Sequence, residues 1–395
     1  MNSGKMSFVI DAMHGSSGKG KISTYLADKH SFNVVSSANF PNAGHSAIFD
    51  IGIKFVSKAI PTSAILKKAN HVNMTCLISP GSGFKWEQLI KEWVECGFPK
   101  IIIHSRASVV TDLHTQRERE GSDSTKHIAS TMQGSATALS DKILRRKGLK
   151  LAGDYDLFEV FDEIKSPDLE NLKLMFMEQV TVVDAMEFRN ITHSYLESGN
   201  NILHEGSQGY ALSIDHGSHY PASTSRNCST QAAMDYMAVP ASKVGDVILN
   251  LRTYPIRVGN VVENGVVEGY SGDFYPDSKE LTWDEVAKLS GMPDEEAQLL
   301  TQRELTTVTK RLRRVSTFSY VGLADAVRTN GATSLSVNFI QYINWQDNKL
   351  RGGVEAFNKL SKESRKFLDS VENASGIPVV LIGTGPNHED IIDLT

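Results

Sequence analysis

The first hundred residues alternate short, β-branched apolar runs with stretches of helical spacing, which predicts a parallel sheet covered by helices. Phe8-Val9-Ile10 predicts a first strand and Ile22 to Ala27 an opening helix. Asn33-Val34-Val35, Lys54-Phe55-Val56 and Val72-Asn73-Met74 are further strand candidates, and Ile101-Ile102-Ile103 predicts a buried strand. Between Lys85 and Cys96, Trp86, Leu89, Ile90, Trp93 and Val94 recur at helical spacing. From Ser105 to Ser140 the composition turns to Ser, Thr, Gly and His, so residues 105–150 read as a loop-rich insertion. Helical spacing returns from Asp156 to Leu196, predicting a helical insertion over 154–197. Ile202-Leu203 and Val244 to Ile256 predict strands, the second an interior one. Periodicity fails over 271–318, where a basic loop (300–318) carries Lys310-Arg311-Leu312-Arg313-Arg314. Val321 to Thr329 then predicts a helix, Ser334 to Phe339 a strand, Val354 to Val371 a charged amphipathic helix and Val379 to Ile382 a buried strand. No repeat or flexible linker interrupts the chain. The fold class expected is therefore α/β: one domain over 1–395, with a central, mostly parallel sheet, covering helices and inserted helical and loop subdomains.

Composition narrows the function. Hydrophobic residues make up 40% and charged residues 22% of 395 positions, as in globular proteins of large core. A net charge of −5 argues against a dedicated nucleic-acid binder. No apolar run approaches the roughly 18–20 residues that span a bilayer, and no signal-peptide pattern opens the chain. Three scattered cysteines, Cys76, Cys96 and Cys228, suggest reduced thiols. A cytoplasmic location without membrane association is expected. Neither a CxxC pair nor HExxH suggests structural zinc, and His216 and His219 read as solvated loop histidines.

The chemistry collects in loops that follow apolar strands. Gly15-Ser16-Ser17-Gly18-Lys19-Gly20-Lys21 joins a strand to a helix, a geometry that aims N–H groups and a positive helix end at phosphate. Its spacing departs from the common P-loop, so a lysine-bearing surface turn is the alternative. Asn42-Ala43-Gly44-His45, Glu205-Gly206-Ser207-Gln208-Gly209 and Gly383-Thr384-Gly385-Pro386-Asn387 complete the set. Ligands of open α/β sheets bind outside the carboxyl ends of strands, where such loops converge. His45 reads as catalytic or as merely solvated. The 310–314 cluster reads as a solvated face, a nucleic-acid patch or an anion pocket, and Arg145-Arg146-Lys147 as a helix-end cluster.

In their order, these pieces resemble adenylosuccinate synthetases. That family carries Gly-Asp-Glu-Gly-Lys-Gly-Lys at its first loop, then Asn-Ala-Gly-His, Glu-Gly-Ala-Gln-Gly, Asp-His-Gly (here Asp215-His216-Gly217) and Ser-Thr-Gly-Pro-Asp. The resemblance implies a two-step ligation: the γ-phosphoryl group of a nucleoside triphosphate goes to O6 of a purine monophosphate, and the amine of L-aspartate then displaces it at C6. It implies Mg²⁺, with Ser16 and the Gly44 carbonyl at the metal, and Ser16, Lys19, His45 and Gln208 as the catalytic set. Gly15, Ser17, Gly18, Lys19, Gly20 and Lys21 would cradle phosphate. Asn42, Ser130, Thr131, Arg145, Gln208 and Thr224 would line the monophosphate site, with Arg145 crossing a homodimer interface. Val258, Gly259, Asn338, Gly383, Thr384, Gly385 and Pro386 would complete the nucleotide contacts. Thr309, Arg311 and Arg313 would hold aspartate.

Two departures matter most. Ser16 stands where the family has the aspartate that takes the purine N1 proton, and a serine hydroxyl is no base near neutral pH unless activated. A relay, a Mg²⁺-bound water or the substrate aspartate are the alternative acceptors. Ser336-Val337-Asn338-Phe339 replaces the guanine-reading Thr-Lys-Leu-Asp, so the donor is expected to be ATP or dATP and not GTP. Both departures resemble a bacteriophage branch of the family that joins aspartate to dGMP. An IMP-using synthetase with a divergent loop and a non-catalytic nucleotide-binding protein are the competing readings.

Overall fold

The computed structural model describes residues 3–121, 124–163, 172–306 and 308–395. A ten-stranded sheet runs through it. In chain order its strands are β1 (Met6–Asp11), β2 (Val34–Ser37), β3 (Thr75–Ile78), β4 (Lys100–His104), β5 (Val180–Val183), β6 (Ile202–Glu205), β7 (Val244–Arg252), β8 (Ser334–Asn338), β9 (Val379–Gly383) and β10 (Ile391–Asp393). Across the sheet the order is β10-β9-β8-β7-β1-β6-β2-β3-β4-β5, and every pair is parallel except β9 with β10. This is the mostly parallel α/β architecture that the alternation of runs predicts.

Strand side chains alternate between two cores, as a sheet covered on both faces requires. From β1, Val9 joins one core while Met6, Phe8 and Ile10 join the other. The first core is closed by α1 (Lys19–Lys29) through Ile22 and Leu26, and by helix Trp86–Glu95 through Leu89, Ile90 and Trp93. The second is closed by helices Ala185–Glu197, Tyr320–Asn330 and Lys362–Ser375 through Phe188, Leu323 and Leu368. β1 lies in the interior of the sheet, and the chain winds outward from it in both directions. The loop after β1 therefore opens at a topological switch point.

Several elements differ from expectation. The strand expected at Val72-Asn73-Met74 begins at Thr75, where pairing of Cys76 with Val35 and Ile101 sets the register. Lys54-Phe55-Val56 is a strand of the hairpin His45–Ile48/Lys54–Ser57, outside the main sheet. Residues 105–150 hold helices Asp112–Glu120 and Ser135–Leu144; the first starts at a Thr111–His114 capping box and its sequence is almost wholly polar, so no apolar stripe betrayed it. Within 154–197 lies β5, whose Val-Thr-Val-Val pairs with β4, so this segment contributes to the sheet itself. The part of that expected helical insertion at 164–171 lies outside the described residues. The aperiodic 271–318 stretch contains helices Trp283–Ser290 and Asp294–Arg303. The helix expected over Val354 to Val371 is two, Val354–Asn358 and Lys362–Ser375, the second capped by the Ser361 hydroxyl. Among the described residues, no helix is long and apolar enough to cross a membrane.

Candidate active site

The site grows from the carboxyl end of β1. Gly18, at a φ of 89°, caps α1, and Ser16 has a φ of 52°, unusual for a residue with a Cβ. Asp11, 1% exposed, organises this turn from below. Its Oδ1 accepts from the Met13 N–H at 2.8 Å, while its Oδ2 accepts from the Ser17 hydroxyl and from Lys19 Nζ at 3.3 Å. Lys19 Nζ also donates to the Gln208 carbonyl at 2.8 Å. Asn250, at 2.6 Å, donates to the Ser17 hydroxyl and accepts from Ser336 (2.6 Å) and Asn338 (2.8 Å), so the loop is tied to the ends of β7 and β8. Ser17, Lys19 and Lys21 are buried, whereas Ser16 is exposed and its hydroxyl has no hydrogen bond among the described residues.

The other expected loops meet this one. A Cβ on Gly209 would come 2.1 Å from the Met13 carbonyl oxygen and 2.4 Å from the Gly15 nitrogen, so the close approach of the Gly206–Gly209 stretch needs glycine. Gln208 is bent there at a φ of 58°. Lys21 Nζ donates to the carbonyls of Gly385 (2.8 Å) and Asp390 (2.9 Å), and burial pulls its ammonium down to about 7, against the nearby Asp390. Asn338 lies between Gly18 and Gly383. Thr384 is buried and donates to the Leu350 carbonyl, while Pro386 is exposed. Asn42, after β2, has a buried Oδ1 with no partner among the described residues.

His45 opens the hairpin with Nδ1 on Glu205 Oε1 of β6. Glu205 also accepts from the Thr62 N–H at 2.9 Å and the Thr62 hydroxyl at 2.8 Å. Burial pushes this carboxyl up, but His45 and Thr62 outweigh it and hold it below its usual value. Glu205 is thus an anion that fixes the imidazole through one nitrogen and leaves Nε2 for other work. Gly44, beside it, is half-buried.

In the basic cluster Lys310 is exposed, but the three arginines are half-buried and engaged. Arg311 donates to the carbonyls of Ala129 (2.7 Å) and Ser130 (2.9 Å), and through Nε to Thr309 Oγ1 at 3.1 Å. Burial lowers its ordinary value, as it does that of Arg313. Arg313 pairs with buried Glu304 at 3.3 Å, and Arg314 with Glu280 at 2.7 Å. A Cβ on Gly259 would come 2.2 Å from the Leu312 carbonyl, so Val258-Gly259 lies against the same loop. Thr131 and Thr224 are half-buried, the latter donating its N–H to the Leu212 carbonyl. Arg145 stands apart: it is exposed at the end of helix Ser135–Leu144 and has no side-chain hydrogen bond or ion pair among the described residues. His216 is exposed, while His219 pairs with Asp273 at 3.3 Å.

Sequence reasoning missed four participants. Asp11 ends an apolar run, a placement that could have flagged it. Arg226, alone among Ser, Thr and Asn, is buried and donates to the carbonyls of Gly81 and Ala38 and to the Ser207 hydroxyl. Arg252 and Glu304 pair at 2.5 Å, but Glu304, just past helix Asp294–Arg303, looks in sequence like one more surface carboxylate.

The profile of the family described as adenylosuccinate synthetase matches residues 8–348. The N6-succino-2-amino-2′-deoxyadenylate synthase of Vibrio phage phiVC8 is 31% identical over 86% of this chain and 88% of its own. The adenylosuccinate synthetase of Methanocaldococcus jannaschii is 28% identical over 98% of this chain and 96% of its own. Among solved structures, the succinoaminodeoxyadenylate synthetase of cyanophage S-2L, bound to dGMP and dATP as an energy donor, superposes with a TM-score of 0.77 at 29% identity, covering 99% of this chain and 95% of that one. The chain is a member of the adenylosuccinate synthetase family, a carbon–nitrogen ligase of purine nucleotide biosynthesis.

Proposed function

We propose that the protein joins L-aspartate to C6 of dGMP, giving N6-succino-2-amino-2′-deoxyadenylate, with ATP or dATP as phosphoryl donor. The observation that carries this reading is Ser16: an exposed hydroxyl, unpartnered among the described residues, at the tip of the phosphate loop, where the family has a carboxylate. A 2-amino group adjoins N1, so a short hydroxyl there leaves room for the amine and can accept its hydrogen bond. The likeness to phage synthases, one of them solved with dGMP and dATP, supports the same substrates.

On this reading O6 attacks the γ-phosphorus and expels the nucleoside diphosphate, the N1 proton passes to a Ser16 relay, a water or the substrate aspartate, and the aspartate amine then adds at C6, gives up a proton and expels phosphate. Lys19 and the N–H groups at the start of α1 hold the transferring phosphoryl group. His45 Nε2, with Nδ1 tied to anionic Glu205, stabilises charge on the O6 and phosphoryl oxygens. Arg311 and Arg313 take the carboxylates of aspartate, and Thr309 aids them. Asn42, Ser130, Thr131, Gln208 and Thr224 seat the monophosphate, completed by Arg145 from the neighbouring subunit of a homodimer. The Ser16 hydroxyl and Gly44 carbonyl are hard oxygen donors that would suit Mg²⁺ carried on triphosphate. When bound, Mg²⁺ offsets phosphoryl charge.

The test pairs dGMP, GMP or IMP with ATP, dATP or GTP in the presence of aspartate and Mg²⁺, and reads product mass and phosphate release. Product from dGMP with an adenine nucleotide is expected. Efficient turnover of IMP with GTP, and none of dGMP, would refute the proposal.

A further inference from the structure

Ser16 holds its left-handed backbone without help from its own side chain, which is exposed and makes no hydrogen bond among the described residues. Such a conformation disfavours any residue with a Cβ, so something else must fix it. Arg252 does so. From the end of β7 its Nη1 donates to the Ser16 carbonyl at 3.1 Å, and its Nη2 donates to Glu304 Oε1 at 2.5 Å. Both side chains are only 2–3% exposed. The guanidinium lies 4.0 Å from the Phe339 ring centre, with Trp283 at 5.5 Å and Tyr342 at 5.8 Å. Glu304 accepts in addition from Tyr342 Oη at 3.0 Å and Arg313 Nη1 at 3.3 Å. A planar group stacked on one ring, and hydrogen-bonded at two ends, has a single orientation available.

We infer that the Arg252–Glu304 clamp determines substrate specificity by positioning: it locks the Ser16 backbone so that the serine hydroxyl meets the 2-amino group of the purine. The inference rests on the proposed reading of Ser16 as the residue that faces that edge. A hydroxyl discriminates a substrate bearing the amine from one lacking it only while it stays within hydrogen-bond reach, and a displacement of about 1 Å forfeits the contact. Neither Arg252 nor Glu304 needs to touch the nucleotide. Through Glu304 the same clamp reaches Arg313, so the loop proposed to read aspartate and the loop proposed to read the purine edge are braced by one carboxylate.

The test compares kcat/KM for dGMP and for dIMP, which differ only in the 2-amino group, in the intact protein and in Arg252→Lys and Glu304→Gln. A lysine amine cannot stack and bridge both acceptors at once. Glu304→Gln keeps the size and one acceptor while removing the charge. The dGMP-to-dIMP ratio is expected to fall about tenfold or more in Arg252→Lys, chiefly through loss on dGMP, and by less in Glu304→Gln. Melting curves identify variants that fold; should Arg252→Lys not fold, the ratio in the near-isosteric Glu304→Gln decides alone. Parallel loss on both nucleotides with an unchanged ratio would reduce the clamp to a structural support and overturn the inference. A parent protein with no preference for dGMP would overturn instead the reading of Ser16 on which it rests.

Discussion

Individual residues divide here into those proposed to meet the ligands and those that hold them in place. The motif singles out His45 as a candidate, and its orientation depends on Glu205, to which the motifs assign no role. Replacing Glu205 by Gln keeps the shape and removes the anion; kcat is expected to fall about 10-fold to 100-fold, and His45→Ala about 100-fold to 10,000-fold, read from steady-state phosphate release. Asp11 works from beneath the Gly15–Lys21 loop. Asp11→Asn leaves the buried Lys19 ammonium without its countercharge, so stability should drop by about 3–5 kcal/mol in denaturant titration, and KM for the triphosphate should rise. An unchanged denaturation midpoint would show that the pair contributes nothing. Residues of this kind hide in sequence because burial, not identity, gives them meaning. Glu304 is as unremarkable as Glu295 or Glu296 until the fold encloses it against Arg252 and Arg313.

At the scale of elements, strands with strong apolar runs and helices with apolar stripes were legible: β1, β4, β9 and the helix Trp86–Glu95 fall where the pattern puts them. Elements stabilised by something other than a stripe were not. Helix Asp112–Glu120 is held by its cap and by Glu118, whose buried carboxylate accepts from the Gly134 N–H, and its sequence shows no amphipathic face. β5 vanished inside the helical spacing around it because four residues are too few to establish a period of two. The loops at the carboxyl ends of neighbouring strands are joined by Arg226, which binds the residue after β2, the turn after β3 and the loop after β6. Arg226→Met would strip two buried carbonyls and a hydroxyl of their donor, at roughly 1–3 kcal/mol for each group left unsatisfied. The expected result is a lowered melting temperature together with a raised KM for the monophosphate; a variant as stable and active as its parent would show that those loops need no brace.

The whole molecule gathers its candidate loops at the carboxyl ends of an open, doubly covered sheet, and the likeness in fold to the cyanophage synthetase covers 99% of the chain. Its interior also carries a pH signature. Burial drives His204 down to about 4, with Arg226 adding and Glu205 opposing, and His104 likewise to about 4, with Lys142 and Arg106 adding. Folded values below the unfolded one mean that the unfolded chain binds more protons between about pH 6.5 and 4, so stability falls as pH falls through that window, by about 1.4 kcal/mol per pH unit for each fully engaged histidine. Glu92, pushed up to about 7 by burial, acts the other way and offsets part of the slope. In His204→Gln the acid side of a stability-versus-pH curve should flatten by about one proton; an identical slope would mean that His204 does not stay neutral in the fold. The assignment of dGMP as substrate has one direct test: dGMP and IMP supplied together at equal concentration with ATP, aspartate and Mg²⁺, and the two succinylated products counted by mass spectrometry. Ser16 at the purine edge predicts the 2-amino-2′-deoxyadenylate product in large excess, and a predominance of adenylosuccinate would contradict it.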